Sequence, residues 1–126
     1  ENGIEQEIEK AINEKRKIVF GGHSLGGALA LLAHDDNPGL SRAVTWGCPR
    51  VWTRWSHPTN RTYFDHTRYF RSKDEVPELP HFLYTHFDTK SVQIGRCTAW
   101  LKNFDDHSID LYASDMVTTP NLDQKS

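Results

Sequence analysis

The chain is 126 residues long, carries a formal net charge of −2 and is 37% hydrophobic. That length allows one domain with its own core, the slightly acidic balance argues against a nucleic-acid surface, and no apolar run approaches the ~18 residues of a membrane span. The hydrophobic share is low for a parallel sheet covered on both faces, which suggests a fold lacking part of itself.

Residues 3–16 form a predicted amphipathic helix, with Ile4, Ile8, Ala11 and Ile12 at helical spacing and Glu and Lys on the other faces. Asn2 is a candidate cap, with Glu5 completing a capping box; the helix is expected to pack and to do no chemistry. The chain begins at Glu1 rather than Met, which suggests processing or excision from a longer polypeptide. Nothing in the sequence chooses between secretion and the cytoplasm.

Lys17 to Phe20 is a predicted strand, followed by Gly21-Gly22-His23-Ser24-Leu25-Gly26-Gly27 and a run of helix formers to about His34. The spacing Gly22-x-Ser24-x-Gly26 reads as strand, sharp turn and helix with a serine at the apex. Glycine is needed on both sides, because a Cβ there would strike the neighbouring backbone. The serine then stands at a helix start whose first N–H groups are unpaired, and the Leu25 N–H is the first candidate donor to an oxyanion. Asp35-Asp36-Asn37-Pro38-Gly39 ends the helix.

Arg42 to Trp46 is the next strand, closed by Gly47-Cys48-Pro49-Arg50; two strands joined by a helix imply parallel pairing. Residues 51–66 mix aromatic and basic side chains, and on an acidic chain these are expected to pack under a connecting segment rather than to stack on bases. Asn60-Arg61-Thr62 is a glycosylation sequon, relevant only to a secreted chain. Cys48 and Cys97 fit no zinc spacing and are expected as free, half-buried thiols rather than a disulfide.

Thr67 to Arg71 is a third strand, followed by the loop Ser72 to Pro80, stiffened by Pro77 and Pro80. Tyr84 to Phe87 and Ser91 to Ile94 are candidate short strands, expected as an antiparallel edge. Asp105-Asp106-His107-Ser108 opens a last helix with Ile109, Tyr112, Ala113 and Met116 on its apolar side, and residues 118–126 read as a polar tail.

A serine hydroxyl needs a base within hydrogen-bond reach, and that base needs an orienting acid. In the order Ser, Asp or Glu, His, Asp74 fits as the acid, directly after the third strand, and His107 as the base, at a loop-to-helix junction. His34, His57 and His66 precede the acid; His81 and His86 follow it and stay as rivals to His107. His23 cannot fold back onto its neighbour Ser24 and is expected to pack beneath the turn. Asp105 and Asp106 are expected as solvated turn residues whose charge favours an imidazolium.

The blocks Gly22-His23-Ser24-Leu25-Gly26-Gly27-Ala28-Leu29-Ala30, Thr45-Trp46-Gly47-Cys48-Pro49-Arg50-Val51, Asp74-Glu75-Val76-Pro77-Glu78-Leu79-Pro80 and Asp106-His107 resemble, in order and spacing, the class 3 (fungal-type) lipases of the α/β-hydrolase superfamily. The resemblance implies a partial α/β-hydrolase fold over residues 1–117: a mainly parallel sheet with flanking helices, its N-terminal strands, lid and second oxyanion donor missing. It implies Ser24 as nucleophile, Asp74 as acid, His107 as base and Leu25 in the oxyanion hole. It further implies cleavage of acylglycerol or phospholipid esters without metal or organic cofactor. The sequence departs from the family at Trp52, where a glycine is usual, and at Asp110, where an aromatic is frequent, with Tyr112 coming later. A sheet cut short leaves an open edge, so pairing with a missing N-terminal segment or self-association is expected. A noncatalytic fragment serving binding or assembly, and an acyltransferase or thioesterase with the same triad, stay as alternatives.

Overall fold

The structure, a computed structural model, describes residues 2–59, 61–95 and 99–118. A helix, α1 (Asn2–Asn13), leads into strand β1 (Ile18–His23). Helix α2 (Leu25–Asp36) connects β1 to β2 (Ser41–Trp46). The short strand β3 (Trp52–Thr53) is followed by β4 (His66–Phe70), β5 (Tyr84–Thr85), β6 (Lys90–Gln93) and helix α3 (Ile109–Thr118).

Four strands form one sheet in the order β1-β2-β4-β6, every neighbouring pair parallel. The register sets Phe20 beside Ala43, His23 beside Trp46 and Trp46 beside Tyr69. Because side chains alternate along a strand, β2 sends Ala43 to one face of the sheet and Val44 to the other. On the first face Leu31 of α2 closes over Ala43, Cys48, Trp52 and Phe64. On the second face Val44, Tyr69 and Ile94 enclose Tyr112 of α3, with Trp46, Val92 and Met116 packed against them.

Two histidines that precede the acid in sequence are structural. His34, fully buried, accepts the Asp65 N–H on Nε2 at 2.9 Å, so its Nδ1–H donates to Ser41 Oγ at 2.7 Å, tying the end of α2 to the start of β2. His66 donates from Nδ1 to the Phe87 carbonyl at 2.9 Å and accepts from Thr45 Oγ1 at 2.8 Å. Burial, above all, lowers its pKa from the usual histidine value to about 4.

Several expectations need correction. The first strand does not stop at Phe20 but runs on through Gly21 and Gly22 to His23, since parallel pairing with β2 supplies the hydrogen bonds that glycine propensity does not. The expected antiparallel edge is split. Lys90–Gln93 pairs parallel with β4, while Tyr84–Thr85 pairs antiparallel with Trp52–Thr53 in a separate two-stranded sheet. Cys48 is a free thiol but fully rather than half buried, and burial pushes its pKa up to about 12; Cys97 and Asn60 of the sequon lie outside the described residues. Within 51–66, Trp52 and Phe64 are core residues, whereas Trp55 and Tyr63 are exposed. Helix α1 does not bury its apolar stripe: Ile4 is 70% exposed. Residues 119–126 of the expected tail lie outside the described residues, and Thr118 is the last residue of α3.

Candidate active site

Ser24 sits between β1 and α2 with φ 58° and ψ −126°. A non-glycine residue in that region carries about 1–3 kcal/mol of strain and persists only where its surroundings over-determine it. They do so here: the Ser24 N–H donates to the Trp46 carbonyl at 3.0 Å, and the Ser24 carbonyl accepts the Gly27 N–H at 2.9 Å. The turn is so tight that a Cβ on Gly22 would lie 2.2 Å from the Gly26 carbonyl oxygen, which explains Gly22; the expectation fails for Gly26, where a Cβ would meet no atom of the described residues within 4 Å. The turn lifts Ser24 to the carboxyl end of the sheet, where the loops after β2 and β4 also converge. Leu25 follows at the head of α2, with its side chain 69% exposed.

Asp74 lies after β4 and is 1% exposed. One carboxylate oxygen accepts the Val76 N–H at 2.9 Å. The other accepts the Tyr112 hydroxyl at 2.6 Å and His107 Nδ1–H at 2.8 Å. A buried charge needs such partners. Burial and the neighbouring carboxylate both raise the Tyr112 pKa, so its hydroxyl stays a donor to Asp74. The same hydroxyl accepts the Arg71 N–H at 3.0 Å.

His107 ends a 3₁₀ turn, Asp105–His107, that opens α3. With Nδ1–H committed to Asp74, Nε2 carries the lone pair in the neutral ring; it is buried and has no hydrogen-bond partner among the described residues. Gly47, at φ +60°, makes room for the pair: a Cβ there would stand 3.0 Å from Asp74 Oδ2 and 3.1 Å from His107 Nδ1. Ser24 N–H bonds the residue just before this glycine, so the serine turn and the imidazole flank one peptide.

The structure therefore joins Asp74 and His107 and sets the Ser24 turn beside them, with no hydrogen bond between Ser24 and His107 among the described residues. The rivals are engaged elsewhere. His81 pairs with Glu75 at 2.9 Å; His86 meets the Pro77 carbonyl, and burial lowers its pKa to about 4.

Three neighbours were not legible as site residues. Tyr112 reads as an apolar helix position yet holds Asp74; its place after His107 was the available signal. Asp106 is not a solvated turn residue: it is buried and pairs with Arg71 at 2.7 Å, while Arg71 also meets Asp115 of α3. Asp105 is exposed, as expected. His23 does not merely pack beneath the turn. Its Nε2–H donates to the His107 carbonyl at 2.7 Å, and the two rings stack at 4.6 Å.

A family model described as lipase (class 3) matches residues 1–84. The chain belongs to the class 3 lipase family. A triacylglycerol lipase of Nicotiana tabacum is 33% identical over 104 residues, covering 67% of this chain and 18% of that protein. A lipase from Rhizopus microsporus var. chinensis superposes with a TM-score of 0.67 at 25% identity, covering 84% of this chain and 47% of that one. Lipase II from Rhizopus niveus gives 0.65 at 25% identity, covering 84% and 52%. The parallel sheet with flanking helices is thus part of the α/β-hydrolase fold of the fungal lipases. The chain spans about half the length of these fungal lipases and less than a fifth of the tobacco protein. The class 3 lipase match contains Ser24 and Asp74 and ends before His107.

Proposed function

We propose that this class 3 lipase domain hydrolyses carboxylic esters of acylglycerol or phospholipid type through an acyl-enzyme. The observation that carries the reading is the Asp74–His107 hydrogen bond, which leaves a bare, buried Nε2 next to a strained serine turn. In the reaction, His107 Nε2 takes the Ser24 hydroxyl proton as Oγ attacks the acyl carbon. The negative charge on the carbonyl oxygen is met by the Leu25 N–H at the head of α2. Collapse breaks the ester C–O bond, and the imidazolium gives its proton to the leaving alcohol. Water then repeats the sequence on the acyl-enzyme, releasing the acid and regenerating Ser24. Asp74 fixes the tautomer and stabilises the imidazolium without taking its proton.

A lipid-like substrate is supported by the side chains on the same segments. Leu25, Phe82, Trp100, Leu101 and Phe104 are all more than 60% exposed, and Asn103, between Leu101 and Phe104, bridges to Asp74. Large exposed apolar side chains on the segments that carry Ser24, Asp74 and His107 are what contact with a lipid surface would use. No helix among the described residues is long and apolar enough to cross a membrane. On the partner side, β1 ends the sheet with its outer edge unpaired among the described residues. We propose that a further strand, from another segment or a second copy, lies along it.

The test is covalent labelling of the intact protein with a fluorophosphonate. Ser24 should be the modified residue, and Ser24→Ala should lose the label. No labelling of the intact wild type, or undiminished labelling of Ser24→Ala, would remove the hydrolase reading and leave a binding or assembly role.

A further inference from the structure

Ester hydrolysis by a serine and a base uses one imidazole, yet two stack at this site. His23 is the last residue of β1 and the residue before Ser24. A carbonyl can only accept, so the 2.7 Å contact with the His107 backbone places a proton on His23 Nε2. The bond joins residues 84 apart in sequence and links the strand that carries Ser24 to the turn that carries His107. Other ties on that turn reach it from elsewhere: Asp74 holds the ring from the β4 loop, and Arg71 holds Asp106.

Close packing does not account for His23. One flank lies against the His107 ring, and the Tyr112 ring is tilted 5.5 Å away. Another flank opens on an apolar groove of about 530 Å³ between β1, Trp46 and α3. An aliphatic side chain would fill such a position as well, but it would leave the His107 carbonyl without this donor. Burial, the largest influence, lowers the His23 pKa, with the His107 charge acting in the same direction; the His107 carbonyl and Asp74 act against it. Near neutral pH His23 is therefore an uncharged donor beside the ring that becomes charged during turnover.

We propose that His23 is a positioning residue, whose Nε2–H holds the His107 backbone and so sets the reach of His107 Nε2 to the Ser24 hydroxyl. This role rests on the hydrolase reading above.

Two variants of the intact protein separate the donor from the ring. His23→Phe keeps a stacking ring and loses the donor; His23→Gln keeps an amide N–H at the same number of bonds from the backbone and loses the ring. Losing one hydrogen bond that holds the base should slow fluorophosphonate labelling of Ser24 by about tenfold in His23→Phe, with His23→Gln within about threefold of wild type. Imidazole ¹⁵N spectra of the wild type should show His23 protonated on Nε2 and bare on Nδ1. Should His23→Phe fail to fold, His23→Gln carries the test alone: a folded Gln variant slowed tenfold means that the ring matters and the donor does not. Wild-type labelling in a folded His23→Phe, or an Nδ1-protonated His23 in a wild type that labels, would overturn the role and leave the hydrolase reading intact. A wild type that does not label would remove both.

Discussion

Replacing Tyr112 by Phe removes one oxygen atom and no packing surface, so its effect can be worked from the contacts of that atom. Tyr112 is 1% exposed, and its ring sits in the core beside Val44, Tyr69 and Ile94. The hydroxyl donates to Asp74 at 2.6 Å and accepts from the Arg71 N–H at 3.0 Å. A hydrogen bond to a charged group contributes about 1.5–3 kcal/mol, and a buried donor left without an acceptor costs about 1–3 kcal/mol. The two losses share one atom and do not simply add, so Tyr112→Phe should destabilise the fold by about 2–4 kcal/mol. That corresponds to a fall of about 8–16 °C in Tm for a domain of this size. Urea unfolding followed by circular dichroism, wild type against variant at pH 7, measures it. His107 Nδ1 and the Val76 N–H still bond Asp74 in the variant, so Ser24 labelling should weaken rather than vanish. A destabilisation below about 0.5 kcal/mol would refute the reasoning, because it would mean that the hydroxyl has no buried partner to lose.

Two further outcomes follow from the same geometry. Gly47→Ala places a Cβ 3.0–3.1 Å from Asp74 and His107 at a φ of +60°. The strain and the displaced imidazole should cost about 1–3 kcal/mol of stability and about tenfold or more in Ser24 labelling; a wild-type labelling rate in the folded variant would contradict the placement of the pair. The fold should also lose stability as pH falls below neutrality. The folded pKa of His66 is about 4, against 6.5 for a free histidine, so its stabilising contribution is complete above about pH 6.5 and is lost as the pH falls towards 4, where the unfolded chain binds the extra proton. His66 alone should account for about 2 kcal/mol between pH 7 and pH 5, and His86, also lowered to about 4, acts in the same direction. Urea midpoints at the two pH values decide it, and equal stabilities would show that neither histidine is buried uncharged.

Much of the fold was legible because short-range rules governed it. The apolar run Ile18-Val19-Phe20, the glycines around Ser24 and the helix formers behind it admit few backbones other than strand, turn and helix. Parallel pairing followed from a helix joining two strands. The strands after β4 were harder. Tyr84–Thr85 and Lys90–Gln93 are each too short for periodicity to assign a partner, and only packing sends one to Trp52–Thr53 and the other to β4. Helix α1 illustrates the opposite limit: its apolar stripe was plain in the sequence, but Ile4 and Ile12 are exposed, and periodicity cannot say whether a face is covered.

By itself the sequence determined the local chemistry: a serine on a glycine-bounded turn, an acid in a proline-stiffened loop and a histidine before a helix. These depend on side-chain identity and on backbone preferences within a few residues. Only the tertiary structure decided which histidine the acid holds and what secures the pair. His107 rather than His81 or His86 meets Asp74, Tyr112 and Arg71 stand behind it, and His23 reaches across from the serine strand. Each of those contacts spans 33 or more residues. Hydrogen bonds act over about 3 Å in space, and no local pattern along a chain records which distant groups folding will bring within that distance.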